Sequence, residues 1–179
     1  MGTGQTRQLH LGDERGFGDP SSAPVPARLE CVSERWAEGP GIVVMPNGVR
    51  IRGRGLHSPT RFEDPDYGVY LLRRRPTGIS WPHDWIRWPD YWLPTNRTDA
   101  VHTLLATLER AERERVEVAC KAGRGRTGTA LAVMAIGAGV APEDAVEWVR
   151  RNYDPRAIET PWQRRWISRL RLPYGCNFR

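Results

Sequence analysis

Lysine is nearly absent from this chain: of its 27 basic residues only Lys121 is a lysine, and the rest are arginines. That bias reads as the codon composition of a GC-rich genome. The chain also lacks any apolar run near the ~20 residues that a membrane-crossing helix needs. Its N-terminus lacks the apolar stretch of a secretory signal. Cysteine is scarce and odd in number, with three residues in all. That argues against a disulfide framework and for a reducing, cytosolic setting. The histidines, His10, His57, His83 and His102, form no metal-ligand cluster, so neither a metal nor another cofactor is expected. There is no internal repeat and no sign of a second domain.

What is present suffices for one packed domain. The chain has 179 residues, 39% hydrophobic and 27% charged, which excludes wholesale disorder. A net charge of +6 and a pI near 9.8 attract anionic partners such as phosphates. Residues 1–28, rich in Gly, Pro and Ser, read as a mobile arm. Residues 29–179 read as a single domain.

Ile42-Val43-Val44-Met45, Pro46-Asn47-Gly48 and Val49-Arg50-Ile51-Arg52 spell a β-hairpin, with Val49 and Ile51 alternating with arginines. Strands are expected at Tyr67–Leu72, Trp85–Trp88 and Val116–Ala119. Val101, Leu104, Leu105 and Leu108 give a helical stripe within 98–114, with Thr98 as its N-cap. An apolar, buried helix is expected over 127–138. Pro142 and Glu143 open another, running from Ala141 to about Arg151. Thr160-Pro161 opens the last, with Trp162, Trp166 and Leu170 along one stripe. Strands followed by strand-loop-helix and helices imply a layered α/β or α+β fold. Trp81, Trp85, Trp88 and Trp92 have helical spacing, but Pro82, Pro89 and Pro94 break any continuous helix. They are expected to pack as hinge and core residues, and no nucleic-acid partner is expected.

The informative stretch is Cys120-Lys121-Ala122-Gly123-Arg124-Gly125-Arg126-Thr127-Gly128. A strand delivers a cysteine into a loop of small residues that feeds a helix. Backbone N–H groups in such a loop form a nest for an anion, and the helix N-terminus adds partial positive charge. Both stabilise a thiolate, which makes the cysteine nucleophilic. Arg126 offers a planar fork for two phosphoryl oxygens, and Thr127 a hydroxyl for the sulfur when it leaves. Gly123-x-Gly125-x-x-Gly128 also has the form of a dinucleotide fingerprint. However, helix follows helix after the loop, with no second strand where that motif needs one. A phosphate-binding Walker loop fails because Thr129-Ala130 follows Gly128.

Cys120-x5-Arg126-Thr127 resembles the signature of the cysteine-dependent protein tyrosine phosphatase superfamily, including its dual-specificity branch. The loop is also similar to that of the phosphoinositide 3-phosphatases, whose two basic loop side chains are matched by Lys121 and Arg124. The resemblance implies an α/β cysteine-phosphatase fold, with a small, mostly parallel central sheet flanked by helices. It implies phosphomonoester hydrolysis through a cysteinyl-phosphate. Trp88-Pro89-Asp90 is similar to that family's general-acid loop, which makes Asp90 the first candidate acid, Asp84 its rival and Asp99 a distant third. Gln163, in Arg156-Ala-Ile-Glu159-Thr-Pro-Trp-Gln163, corresponds to a glutamine that positions the hydrolytic water in many dual-specificity phosphatases. One position departs: Ala119 stands where members usually carry histidine.

The substrate readings are a phosphotyrosine or dual-specificity phosphoprotein, a phosphoinositide or other polyanionic phosphate, and, from Ala119, an inactive phosphopeptide-binding module. Arg73-Arg74-Arg75 reads as a solvated charge run. A protective disulfide from Cys120 to Cys31 or Cys176 is a further possibility that sequence alone leaves open.

Overall fold

Asn47-Gly48 makes the first turn. Gly48 takes φ +82°, a region glycine enters without steric cost, and the Met45 amide donates to the Val49 carbonyl at 2.8 Å. The turn joins β1 (Ile42–Val44) to β2 (Arg50–Gly55) as an antiparallel pair. The computed structural model describes residues 1–2, 36–58 and 63–172. All but Met1 and Gly2 of the expected arm over 1–28 falls outside those residues, and so do Cys31 and Cys176. The chain divides into two units, Met1–Cys31 and Val32–Arg179, and every described helix and strand belongs to the second.

Three further strands follow, β3 (Tyr67–Leu72), β4 (His83–Arg87) and β5 (Val116–Cys120). They complete a five-stranded sheet in the order β1-β2-β5-β3-β4. All neighbours but β1 and β2 pair in parallel. The helices are α1 (Arg97–Arg110), α2 (Gly125–Gly137), α3 (Ala145–Asn152) and α4 (Pro161–Ser168). This is the α/β architecture expected, a mostly parallel sheet with helices against it. It places the C-terminal ends of β2, β3, β4 and β5 along one edge, where open α/β sheets bind ligands.

β5 runs through the middle, and all five of its residues are buried. A central parallel strand is covered on both faces, so Val116 and Val118 make only half of the packing. The other half includes Glu117, which is fully buried. Its carboxylate accepts from Arg52 Nε and Nη2 at 2.9 and 2.6 Å, from Arg54 Nε at 2.6 Å and from Tyr70 Oη at 3.2 Å. Arg52, one of the arginines that alternate with Val49 and Ile51, is buried. The alternation in β2 marks a face without revealing what covers it, and the register Arg52↔Glu117 supplies the counter-charge from the neighbouring strand. Burial lowers the pKa of Arg52, and the charge of Glu117 opposes that shift. Removing one partner of such a buried pair leaves an uncompensated charge.

The helices follow their sequence signals with shifted ends. Asn96, not Thr98, caps α1: its side chain accepts from the Asp99 amide at 3.3 Å, and asparagine is at least as good a cap as threonine. The helix stops at Arg110 instead of Glu114, yet its buried stripe includes Val101, Leu104, Leu105 and Leu108 as expected. α2 is buried along its whole length. Residues 142–144 form a turn, so α3 starts at Ala145. Thr160 caps α4 with Gln163 in a reciprocal capping box.

Candidate active site

β5 ends at Cys120 and α2 begins at Gly125, leaving four residues for the loop between them. The loop's carbonyls are engaged from outside. That of Cys120 accepts from the Leu56 amide at 2.9 Å, Lys121 from the His57 amide at 3.1 Å and Arg124 from the Gly128 amide at 2.8 Å. The Tyr153 hydroxyl donates to the Gly123 carbonyl at 2.5 Å. A loop whose carbonyls are held this way can turn its amides inward, the arrangement of an anion nest. The Gly123 amide donates to Cys120 Sγ at 3.2 Å. Gly123 takes φ +79°, and a Cβ there would lie 2.4 Å from the Gly55 amide nitrogen. Gly123→Ala is therefore expected to cost about 1–3 kcal/mol of stability. Chemical denaturation and phosphate affinity are expected to fall together.

Cys120 is nearly fully buried, as is Thr127, and Arg126 is only 4% exposed. The Thr127 hydroxyl, read as a donor to the sulfur, faces the Arg54 carbonyl at 3.5 Å, a weak contact. Burial raises the pKa of Tyr153, and the charges of Cys120 and Asp154 raise it further. It therefore remains a donor to the loop. Ala119 lies inside the sheet, opposite Arg54 and Tyr70.

Arg126 reaches the Trp88-Pro89-Asp90 segment. Its Nη1 donates to the Trp88 carbonyl at 3.2 Å, and its Nη2 pairs with Asp90 Oδ1 at 2.8 Å. Trp88 is wholly buried and meets Trp166 edge-on, with ring centroids 5.9 Å apart. Its indole donates to the Trp92 carbonyl at 2.8 Å. The tryptophan is thus the root of the loop, and Asp90 stands out over the Cys120 loop with its side chain 56% exposed.

The first turn of α4 holds the far side of that loop. Trp162 Nε1 donates to the Tyr91 carbonyl at 2.6 Å, and Gln163 Nε2 to the Trp92 carbonyl at 3.1 Å. Tyr91 takes φ +55°, an uncommon and costly conformation for a non-glycine residue. Gln163 is fully buried, and its Oε1 accepts from the Thr160 amide at 3.3 Å. Both ends of its amide are thus occupied, and it braces the loop that carries Asp90.

The rival acids lie elsewhere. Asp84 accepts from the Tyr67 hydroxyl at 2.6 Å. Tyr67 pairs with Val116, at the opposite end of β5 from Cys120 and roughly 13 Å away at 3.3 Å per residue. Asp99 sits in the first turn of α1 against Asn96.

Two clefts flank Asp90 and Lys121. One, of about 670 Å³, is lined by the loop, Arg54, His57, Arg124 and Tyr153. The other, of about 740 Å³, contains Arg126, Arg73, Arg74 and Arg87. Tyr153, Trp162 and Gly55 act on this site without having been singled out for that role from sequence. Tyr153 follows α3 with no periodic or motif signal, and Gly55 matters only because β2 pairs with β5.

Residues 84–167 match the family PTP-SAK, described as "Swiss Army Knife protein, DSP-PTPase phosphatase domain". A comparison with curated proteins gives no match. Two solved structures of Tk-PTP are similar in part. The active form is 22% identical over 73% of this chain and 95% of that one, with a TM-score of 0.47. A glycine-to-alanine mutant form is 23% identical over 75% and 91%, with a TM-score of 0.49. Over the matched span, which runs from β4 into the last turn of α4, the chain is similar to that dual-specificity-type phosphatase domain.

Proposed function

We propose that the protein hydrolyses phosphomonoesters in two steps through Cys120. The Cys120 thiolate attacks phosphorus in line, and a sulfur–phosphorus bond forms as the ester P–O bond breaks. Loop amides and Arg126 take the equatorial oxygens and stabilise the charge that develops on them. Asp90 gives its proton to the leaving oxygen. It then accepts one from water, which attacks the cysteinyl-phosphate and releases inorganic phosphate and the thiolate. Thr127 donates to the sulfur once its hydroxyl leaves the Arg54 carbonyl. Gln163 reaches the water only if its amide leaves the Trp92 carbonyl. A reducing cytosolic setting suits the free thiol.

The observation that carries this reading is the Arg126–Asp90 pair at 2.8 Å beside Cys120. The carboxylate stands where a substrate oxygen would stand. When a phosphate takes that place on Arg126, it displaces Asp90, whose carboxyl is then free to turn to the leaving oxygen. Mass mapping of acid-quenched protein after mixing with p-nitrophenyl phosphate tests it. A phosphoryl group on the Cys120 peptide is expected, and its absence during turnover would rule the mechanism out.

Family weight favours a phosphotyrosine or dual-specificity phosphoprotein substrate. A polyanionic phosphate is the second reading, favoured by the position of Lys121 on the wall between two cation-lined clefts. The inactive-module reading has less support, because the thiol, the guanidinium and a carboxylate converge.

Asp90→Asn is expected to lower kcat about 10²-fold on alkyl phosphates, and far less on p-nitrophenyl phosphate, whose leaving group needs little protonation. Steady-state kinetics on both substrates checks this. Trp162→Phe keeps the ring but removes the hydrogen bond to the Tyr91 carbonyl. It is expected to lower kcat about tenfold, the size of one hydrogen bond, with KM nearly unchanged. An equal loss in kcat for p-nitrophenyl phosphate would show that it acts elsewhere than on the acid.

A further inference from the structure

The second cleft lies at the C-terminal ends of β3 and β4 and meets the first along Asp90 and Lys121. Its charged walls are Arg73, Arg74, Arg87, Lys121 and Arg126, against the single carboxylate of Asp90. That carboxylate already belongs to Arg126. Arg73, Arg74, Arg87 and Lys121 are exposed, and they make no side-chain ion pair among the described residues. Other surface arginines do: Arg110 pairs with Glu114, Arg115 with Asp66 and Arg151 with Glu147. The sequence supplies acids on those faces and withholds them here. Like charges around one concavity repel each other and focus a positive potential into it. An anion that fills the cleft relieves that repulsion, and arginine forks suit phosphate oxygens.

We infer that this cleft is a subsite for a second phosphate on the substrate, held by Arg73, Arg74 and Arg87, with Lys121 between it and the scissile phosphate. The inference rests on the cysteine-phosphatase reading of the Cys120 loop and selects its polyanionic branch. The two clefts share Asp90 and Lys121 in their walls, so the two phosphates sit close together on one face. Neighbouring side chains of an extended peptide point to opposite sides. A compact ring or short polyol carrying two phosphomonoesters fits the arrangement better, and a volume of about 740 Å³ is in the usual range for such ligands.

The test is calorimetric binding of inositol monophosphate, inositol bisphosphate and a tandem phosphotyrosine peptide to the full chain carrying Cys120→Ser. Turnover of p-nitrophenyl phosphate by the wild type is measured alongside. The bisphosphate is expected to bind about tenfold or more tighter than the monophosphate, the size of one charge-assisted contact. Adding Arg73→Ala, Arg74→Ala and Arg87→Ala is expected to bring that ratio close to one. Arg113→Ala with Arg169→Ala, which also lowers the net charge, is expected to leave it unchanged. A ratio near one before those changes, a ratio that survives the triple replacement, or a gain confined to the peptide overturns the proposal. If the ratio holds but p-nitrophenyl phosphate is not turned over, the catalytic reading fails while the subsite stands. If p-nitrophenyl phosphate is turned over but the ratio is flat, the subsite fails while the catalytic reading stands.

Discussion

Phosphate release by Cys120→Ser is expected to fall at least about 10⁴-fold. The substitution removes one sulfur and adds one oxygen of similar shape. Cys120 is 2% exposed and close-packed at the end of the central strand, so the smaller oxygen leaves only a slight gap. What changes is ionisation. A thiol is readily held as thiolate by amides and a helix N-terminus, whereas an alcohol beside the same groups stays protonated and attacks poorly. The Gly123 amide, 3.2 Å from the sulfur, keeps an acceptor in either case. The loop is therefore expected to keep its shape and its phosphate affinity to within a few fold. Steady-state assays with p-nitrophenyl phosphate and calorimetry with inorganic phosphate separate the two effects. Residual activity above a tenth of wild type would assign the nucleophile to another residue. Loss of phosphate affinity together with activity would show that the substitution had collapsed the loop.

Arg126→Lys is expected to lower kcat/KM about 10³-fold, the upper range for removing one preorganised donor to a developing oxyanion. The charge survives, so the loss measures geometry. Arg126 uses one nitrogen on the Trp88 carbonyl and another on Asp90. The guanidinium is thereby fixed between Trp88 and Asp90. A lysine ammonium is a single point charge on a flexible stem and cannot serve both partners. The Trp88 carbonyl would lose its donor in a buried setting, so a stability loss of about 1–3 kcal/mol is also expected, read from chemical denaturation. Activity within tenfold of wild type would show that charge alone suffices and that the bidentate reading of Arg126 is wrong.

The order of strands and helices was largely legible in the chain because each carries a local signal. The Asn47-Gly48 turn, the stripe of Val101, Leu104, Leu105 and Leu108, and the Thr160-Pro161 opening need only their own neighbours to form. Boundaries moved where two local signals competed, as with Asn96 and Thr98 at the start of α1. The nucleophile loop was legible for the same reason. Nine consecutive residues hold the sulfur, the small residues and the arginine, and their spacing alone implies an anion nest.

Other features had no local signature. That Arg52 is buried depends on Glu117, which is 65 residues away in the chain. That Asp90 and not Asp84 stands over the loop depends on strand direction, which sends Asp84 to the Tyr67 end of the sheet. Arg73 and Arg74 are exposed, as a solvated run is, and only the parallel pairing of β3 with β4 sets them beside Arg87 and Lys121. That the Gln163 amide meets the Trp92 carbonyl depends on a contact 71 residues apart in the chain.

The sequence by itself determined the chemistry available: a cysteine, a fork of nitrogens and a loop of small residues kept within one strand-loop-helix. Backbone conformation at that scale is governed by neighbouring residues. Only the tertiary structure decided which acid, which brace and which cations share that loop, because parallel pairing and burial bring together groups that are remote in the chain.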